Sequence, residues 1–119
     1  MYQTPMKKRM VVQNKLESIC GVKKVYFQPP ASIHLEYPCI IYSLNNYVSN
    51  DANNKMYLDW PRYTVAVISK NPESKIPEII RNFRGNFSAS FDRFYTVDNL
   101  NHWVFDLVVT KSIDENEDI

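Results

Sequence analysis

Glycine is the residue this chain almost does without: only Gly21 and Gly85 occur in 119 residues. Loops that wrap phosphate need two or more glycines close together, because only glycine reaches the required backbone angles freely. Two widely separated glycines exclude a P-loop and a dinucleotide fingerprint. Both follow stretches with helical apolar spacing, where a positive-φ residue closes a helix. The remaining turns must be made by Pro, Asn, Asp and Ser.

Read with that punctuation, the chain divides cleanly. Thr4 and Pro5 open a helix, as capping residue and first-turn proline. Met6, Met10, Val12, Leu16, Ile19 and Cys20 give it an apolar stripe, and Gly21 ends it. Val25-Tyr26-Phe27 is a short strand stopped by Gln28-Pro29-Pro30. Tyr37 to Tyr47 is a long strand that starts at a proline. Ser49 to Lys55 is a hairpin loop, and Met56 to Lys70 returns. In that return strand Val65 and Val67 take one face and Ala66 and Ile68 the other, and Pro61 marks a bulge or an edge. Asn71-Pro72-Glu73-Ser74 turns into a second helix capped by Ser74. Ile76, Ile79, Ile80 and Phe83 form its apolar face, and Gly85 ends it. Phe87 to Tyr95 and His102 to Thr110 form a final hairpin around Val97 to Asn101.

The order α-β-β-β-α-β-β predicts an α+β fold: a mostly antiparallel sheet, open or rolled, with both helices on one face. Residues 1–111 form one domain, and residues 112–119 are an acidic, flexible tail.

Hydrophobic residues make up 45% and charged residues 23%, which is globular rather than disordered. The formal net charge is only +1, where proteins built to hold polyanions show a basic excess. Without the tail acids Asp114, Glu115, Glu117 and Asp118, 14 basic residues face 9 acidic ones, so the body carries +5. Such a split suits electrostatic contact between subunits.

Cys20 and Cys39 lack metal-ligand spacing and read as reduced packing residues. Met1 to Lys15 has no apolar run of signal-peptide type, and no window approaches a membrane span. The expected setting is a reducing cytoplasm, or a particle assembled there.

Candidate chemistry is sparse, and no catalytic, cofactor or metal site is expected. A Cys39–His102 nucleophile pair is conceivable, but Cys39 sits in an apolar strand where thiols are usually inert. Asp92, Asp98 and Asp106 read either as a carboxylate cluster or as turn and solvent-face residues. Phe91, Arg93 and Tyr95 alternate as in a single-strand stacking surface, or as core packing. Tyr47, Tyr57 and Trp60 on the long hairpin read equally as interface anchors or as rings packed on their own domain. Lys7, Lys8 and Arg9, unfavourably placed at a helix N-terminus, mark either a contact surface or a solvated basic turn.

Six segments in order resemble a family of tail terminator and tail-completion (neck) proteins of tailed bacteriophages. They are Val25-Tyr26-Phe27-Gln28-Pro29-Pro30, Tyr37-Pro38-Cys39-Ile40-Ile41-Tyr42, Arg62-Tyr63-Thr64-Val65-Ala66-Val67-Ile68, Asn71-Pro72-Glu73-Ser74-Lys75-Ile76-Pro77, Phe91-Asp92-Arg93-Phe94 and Asp98-Asn99-Leu100-Asn101-His102-Trp103. The likeness runs from about Met6 to Val108 and leaves out the acidic tail. It implies a structural virion protein, assembled in the host bacterial cytoplasm and placed at the tail top. Such a protein forms a homo-oligomeric ring, commonly a hexamer, on the last ring of tail tube protein. It stops tube polymerisation and presents the surface for head-tail joining. It uses no cofactor and performs no catalysis. Its partners would be its own copies, the tube protein and a neck or head-completion protein. DNA would pass through the lumen without specific binding, and no membrane is involved. The alternative is a head-completion or neck adaptor between portal and tail. A small single-stranded nucleic-acid-binding protein is the remote one.

Overall fold

The computed structural model describes residues 5–49, 59–83, 85 and 87–109. Thr4, the 50–58 connection with Tyr57, and the 112–119 tail lie outside them. Helix α1 spans Pro5–Cys20, and a 3-10 turn at Val22–Lys24 leads into strand β1, Val25–Phe27. Strands β2 (Cys39–Ser49) and β3 (Asp59–Ser69), helix α2 (Ile76–Arg81), and strands β4 (Phe87–Val97) and β5 (Leu100–Val109) follow. The element order is the one read from the sequence, and the class is α+β.

The strands form one five-stranded sheet in the order β1-β2-β3-β5-β4. β1 runs parallel to β2, and every other pairing is antiparallel. The sheet is open rather than rolled, because β1 and β4 are its two outer strands and do not meet.

Both helices pack on one face. Val12 and Leu16 of α1 and Ile80 and Phe83 from the α2 region join Tyr42, Tyr63, Val65, Val67, Phe105 and Leu107 in a single core cluster. The period-two alternation read in β3 and β5 is what delivers these strand residues to that face. The buried hydroxyl of Tyr42 donates to Gln13 Oε1 and accepts from Arg9 Nη1 at 3.3 Å. Gln13 Nε2 in turn donates to Glu17 Oε2 at 2.8 Å and to the Val25 carbonyl at 3.3 Å. The polar atoms under α1 are thereby satisfied without opening the core. On the opposite face the crossover from β1 to β2 lays Ile33 and Leu35 beside Ile41 and Ser43.

Several local expectations are corrected. In α1, Met10 is 40% exposed, and the stripe that reaches the core is Val12 and Leu16, with Ile19 and Cys20 half-buried beside it. Gly21 ends α1 at φ 113 and ψ 147, a glycine conformation that is not left-handed helical. The α2 cap position is Lys75, and Ser74 instead accepts the Ile76 N–H at 3.3 Å. α2 stops at Arg81, well before Gly85, where the Asn82 N–H turns to the Ile79 carbonyl at 3.2 Å and the Phe83 N–H to the Ile80 carbonyl at 3.1 Å, i→i−3 bonds that tighten the last turn. Pro77, not Ile79, is buried beside Ile80. Pro61 does not cause the bulge in its hairpin. The extra residue is Asn45 in β2, between the Leu44↔Tyr63 and Asn46↔Arg62 pairs. Pro61 is tolerated because the described β3–β5 ladder begins only at Arg62.

The last hairpin is tighter than expected. β4 and β5 pair up to Val97↔Leu100, leaving Asp98 and Asn99 as the turn. Both adopt positive φ, 54 and 64, as a two-residue hairpin turn of the right hand requires. Asn99→Val is therefore expected to cost about 1–2 kcal/mol, read as a lower urea midpoint at unchanged slope, while Asn99→Gly leaves stability unchanged or higher.

Candidate subunit interface

β4 has β5 along one edge and, among the described residues, no strand along the other. An outer strand leaves backbone N–H and C=O groups free to pair with another chain, and proteins commonly blunt such edges with charges or bulges. β4 does so at one point. An extra residue, Asp92, stands between the Phe91↔Phe105 and Arg93↔Val104 pairs, and its carboxylate meets Arg93 at 2.9 Å. The rest of the strand is aromatic and open. Phe91 and Phe94 are each 47% exposed, Tyr95 39% and Val97 49%.

The bulge decides the face of every side chain after it. Phe91 falls on the helix side, edge-on to Phe105 with centroids 5.5 Å apart. Phe94 falls there too, 5.3 Å from Trp103. Arg93 and Tyr95 point to the other face, where Tyr95 lies flat on His102 at 4.6 Å and the Arg93 guanidinium stands 5.9 Å from the Tyr95 ring. The stacking surface read from Phe91, Arg93 and Tyr95 is thus corrected: a single extra residue splits it between two faces. On the helix side Phe91, Phe94 and Trp103 line a groove of about 390 Å³ whose far wall is Pro77, Glu78 and Arg81 of α2. A larger hollow of about 670 Å³ lies between α1 and α2, beside Lys15 and Ile79.

The residues singled out as interface candidates are dispersed. The Arg9 guanidinium bonds Tyr42 and lies 4.6 Å over the Phe27 ring, so it is engaged within its own domain. Lys7 and Lys8 lie in the first turns of α1, with side chains outside the described part. Tyr47 and Trp60 do not share a face. Tyr47 opposes Pro61 on the helix side, while Trp60 opposes Val48 on the other. Both are half-buried, and the Trp60 indole N–H has no partner among the described residues. Phe94, Trp103 and the groove were missed as a site. The available signal was the three-residue spacing of Phe91 and Phe94 inside a strand, which only a bulge can reconcile with one face.

The enzyme-like groupings do not assemble. Cys39 and His102 flank Ile68 on one face, so they stand two strand spacings apart, roughly 10 Å. His102 Nδ1 lies 3.1 Å from the Leu100 carbonyl. Among the described residues no three His, Cys, Asp or Glu side chains gather as a metal site would need. Asp98 sits in the β4–β5 turn, Asp92 in the bulge, and Asp106 opposite Thr64 and Ser90.

Burial pushes the Cys39 thiol from its ordinary 9.0 up to about 11, with nearby Cys20 adding to the rise. Burial likewise raises the Tyr42 and Tyr63 hydroxyls. Raised acids of this kind contribute stability in full below their unfolded values and lose it as pH climbs through the folded ones. The melting temperature is expected to fall between pH 9 and 11, and Cys39→Ala should flatten that fall in a pH series of thermal melts.

No described helix is long and apolar enough to cross a membrane. No protein-family model matches the chain, and no curated protein matches it.

Proposed function

We propose that the chain is a structural virion protein, a tail terminator that assembles as a ring on the end of the tail tube. The observation that carries the reading is the open edge of β4 with its exposed Phe91, Phe94 and Tyr95. A ring needs a surface that joins each copy to the next in a head-to-tail manner and closes on rotation. A long aromatic strand edge supplies both main-chain bonds and buried area for that purpose. The ordered resemblance of six segments to tail terminators points the same way. In this reading the protein works by binding alone. It caps the last tube ring, blocks further addition, and leaves its outer surface for head-tail joining. A body of +5 beside an acidic tail would favour contact between copies, and the near-neutral total avoids a lumen that grips passing DNA.

The test is tube growth. Purified protein added to polymerising tube subunits should arrest elongation at about one ring per tube end, visible as rings in negative stain. Tubes of unchanged length, with the protein bound instead to DNA-filled heads, would favour a neck adaptor. A salt-sensitive shift of single-stranded DNA, with no effect on tubes, would favour nucleic-acid binding.

A further inference from the structure

β4 is not the only open edge. β1 covers β2 only at Ile40, Ile41 and Tyr42. Just beyond, the Gln28 side chain accepts the Leu44 N–H at 3.1 Å. From Asn45 to Ser49, β2 has no strand on that side among the described residues. One sheet thus presents an open edge at each end. Successive antiparallel pairings from β2 through β3 and β5 leave β4 running opposite to β2. A second copy turned about an axis roughly along the strands brings its β2 beside the first copy's β4 as an antiparallel pair, the pairing that dominates this sheet.

The side chains agree face by face. On the helix side β4 offers Phe91 and Phe94, and β2 offers Leu44, which is 37% exposed, and half-buried Tyr47. On the other face β4 offers Ser90 and Arg93, and β2 offers Ser43 and Asn46. On the helix side apolar neighbours meet apolar ones, and on the other face Ser90 and Arg93 meet polar residues with the Tyr95 ring beyond them, a combination that favours cross-strand pairing. A one-residue slip would invert every match, so the two faces fix the register to within two-residue steps.

From this we infer that copies of the chain join edge to edge, with β4 of one pairing antiparallel to residues 45–49 of the next, and that Tyr47 enters the groove between β4 and α2. The inference rests on the ring reading and names its joint. The two surfaces of the joint differ, so any open row of copies keeps a free edge at each end, and only closure uses both. Closure also hides an aromatic edge that would otherwise template aggregation.

Cysteine cross-linking on the full chain tests it. Leu44→Cys or Tyr47→Cys is combined with Phe91→Cys or Phe94→Cys, giving four double variants at surface-accessible positions, and each is oxidised mildly after assembly with tube protein. At least one double variant is expected to give a ladder of covalent oligomers ending at the ring, while the single variants match the unmodified protein. Mixing the single variants Tyr47→Cys and Phe94→Cys should give covalent dimers and nothing larger. Rings in negative stain without a ladder from any double variant would overturn the joint and leave the terminator reading standing. Dimers from Phe94→Cys alone would also overturn it, because β4 would then pair with itself. Absence of rings, alone or with tube protein, would overturn the terminator reading and the joint with it.

Discussion

Phe105→Ala is expected to cost about 3–5 kcal/mol of unfolding free energy. That is a large part of the roughly 5–15 kcal/mol a domain of this kind possesses. Phe105 is fully buried. It stands opposite Val65 on one side and Phe91 on the other, in the cluster that α1 and α2 cover. Its flanking positions are held by ladder pairs in β3 and β4, so the backbone around the void cannot close on it. The loss therefore includes both the transfer term and the cavity term. For a chain of this length it corresponds to a fall in melting temperature on the order of 15 °C. Phe91→Ala is the informative companion. Phe91 touches Phe105 but is 47% exposed, so its removal should cost the monomer about 1 kcal/mol or less. Calorimetry of both variants decides the matter, and equal losses would contradict the assignment of Phe105 to the core and Phe91 to the edge.

Phe94→Asp should do the opposite: little to the monomer, much to assembly. Phe94 is 47% exposed and lies at the outer strand against Trp103. An aspartate there stays solvated in the free protein. Once a second strand lies on β4, the same carboxylate would be enclosed beside Leu44 and Tyr47 of the neighbour without a partner charge. Central aromatic anchors of interfaces are commonly worth 2 kcal/mol or more, about thirtyfold in affinity, and an enclosed unpaired charge adds to that. Ring formation and tube capping are expected to need at least ~30-fold more protein, while circular dichroism and the melting temperature stay near those of the unmodified chain. The readout is a titration of tube length against protein concentration. Unchanged capping by a folded Phe94→Asp protein would count against any role for the β4 edge.

Much of the fold was legible because the signals are local. Val65 and Val67 against Ala66 and Ile68, and Phe105, Leu107 and Val109 along β5, follow the two-residue period of a strand with one face on a core. Asn71 begins the turn before α2 as read: its side chain accepts the Glu73 N–H at 2.9 Å, and its carbonyl accepts the Ser74 N–H at 3.2 Å. The misses have a common cause. Ile79 fits a helical stripe as well as Pro77 does, and only the position of the sheet decides which is covered. Arg9 looks like a free surface cation until the packing of α1 brings it over Phe27 and Tyr42. The candidate interface was read from residue types, and aromatic residues have the same composition whether they fill a core or stand at its margin.

The near-absence of glycine, the alternating strands and the two helical stripes determined by themselves that this chain makes a two-layer α+β fold and has no phosphate loop. Those are consequences of backbone freedom and side-chain period, which each short segment carries within itself. Which strands lie outermost was decided only in three dimensions. The crossover that makes β1 parallel to β2, the bulges at Asn45 and Asp92, and the placement of β5 between β3 and β4 all depend on pairings between distant segments. Among the described residues those pairings leave β4 and the far half of β2 each with one side uncovered, and an edge is a property of the whole sheet rather than of any strand in it.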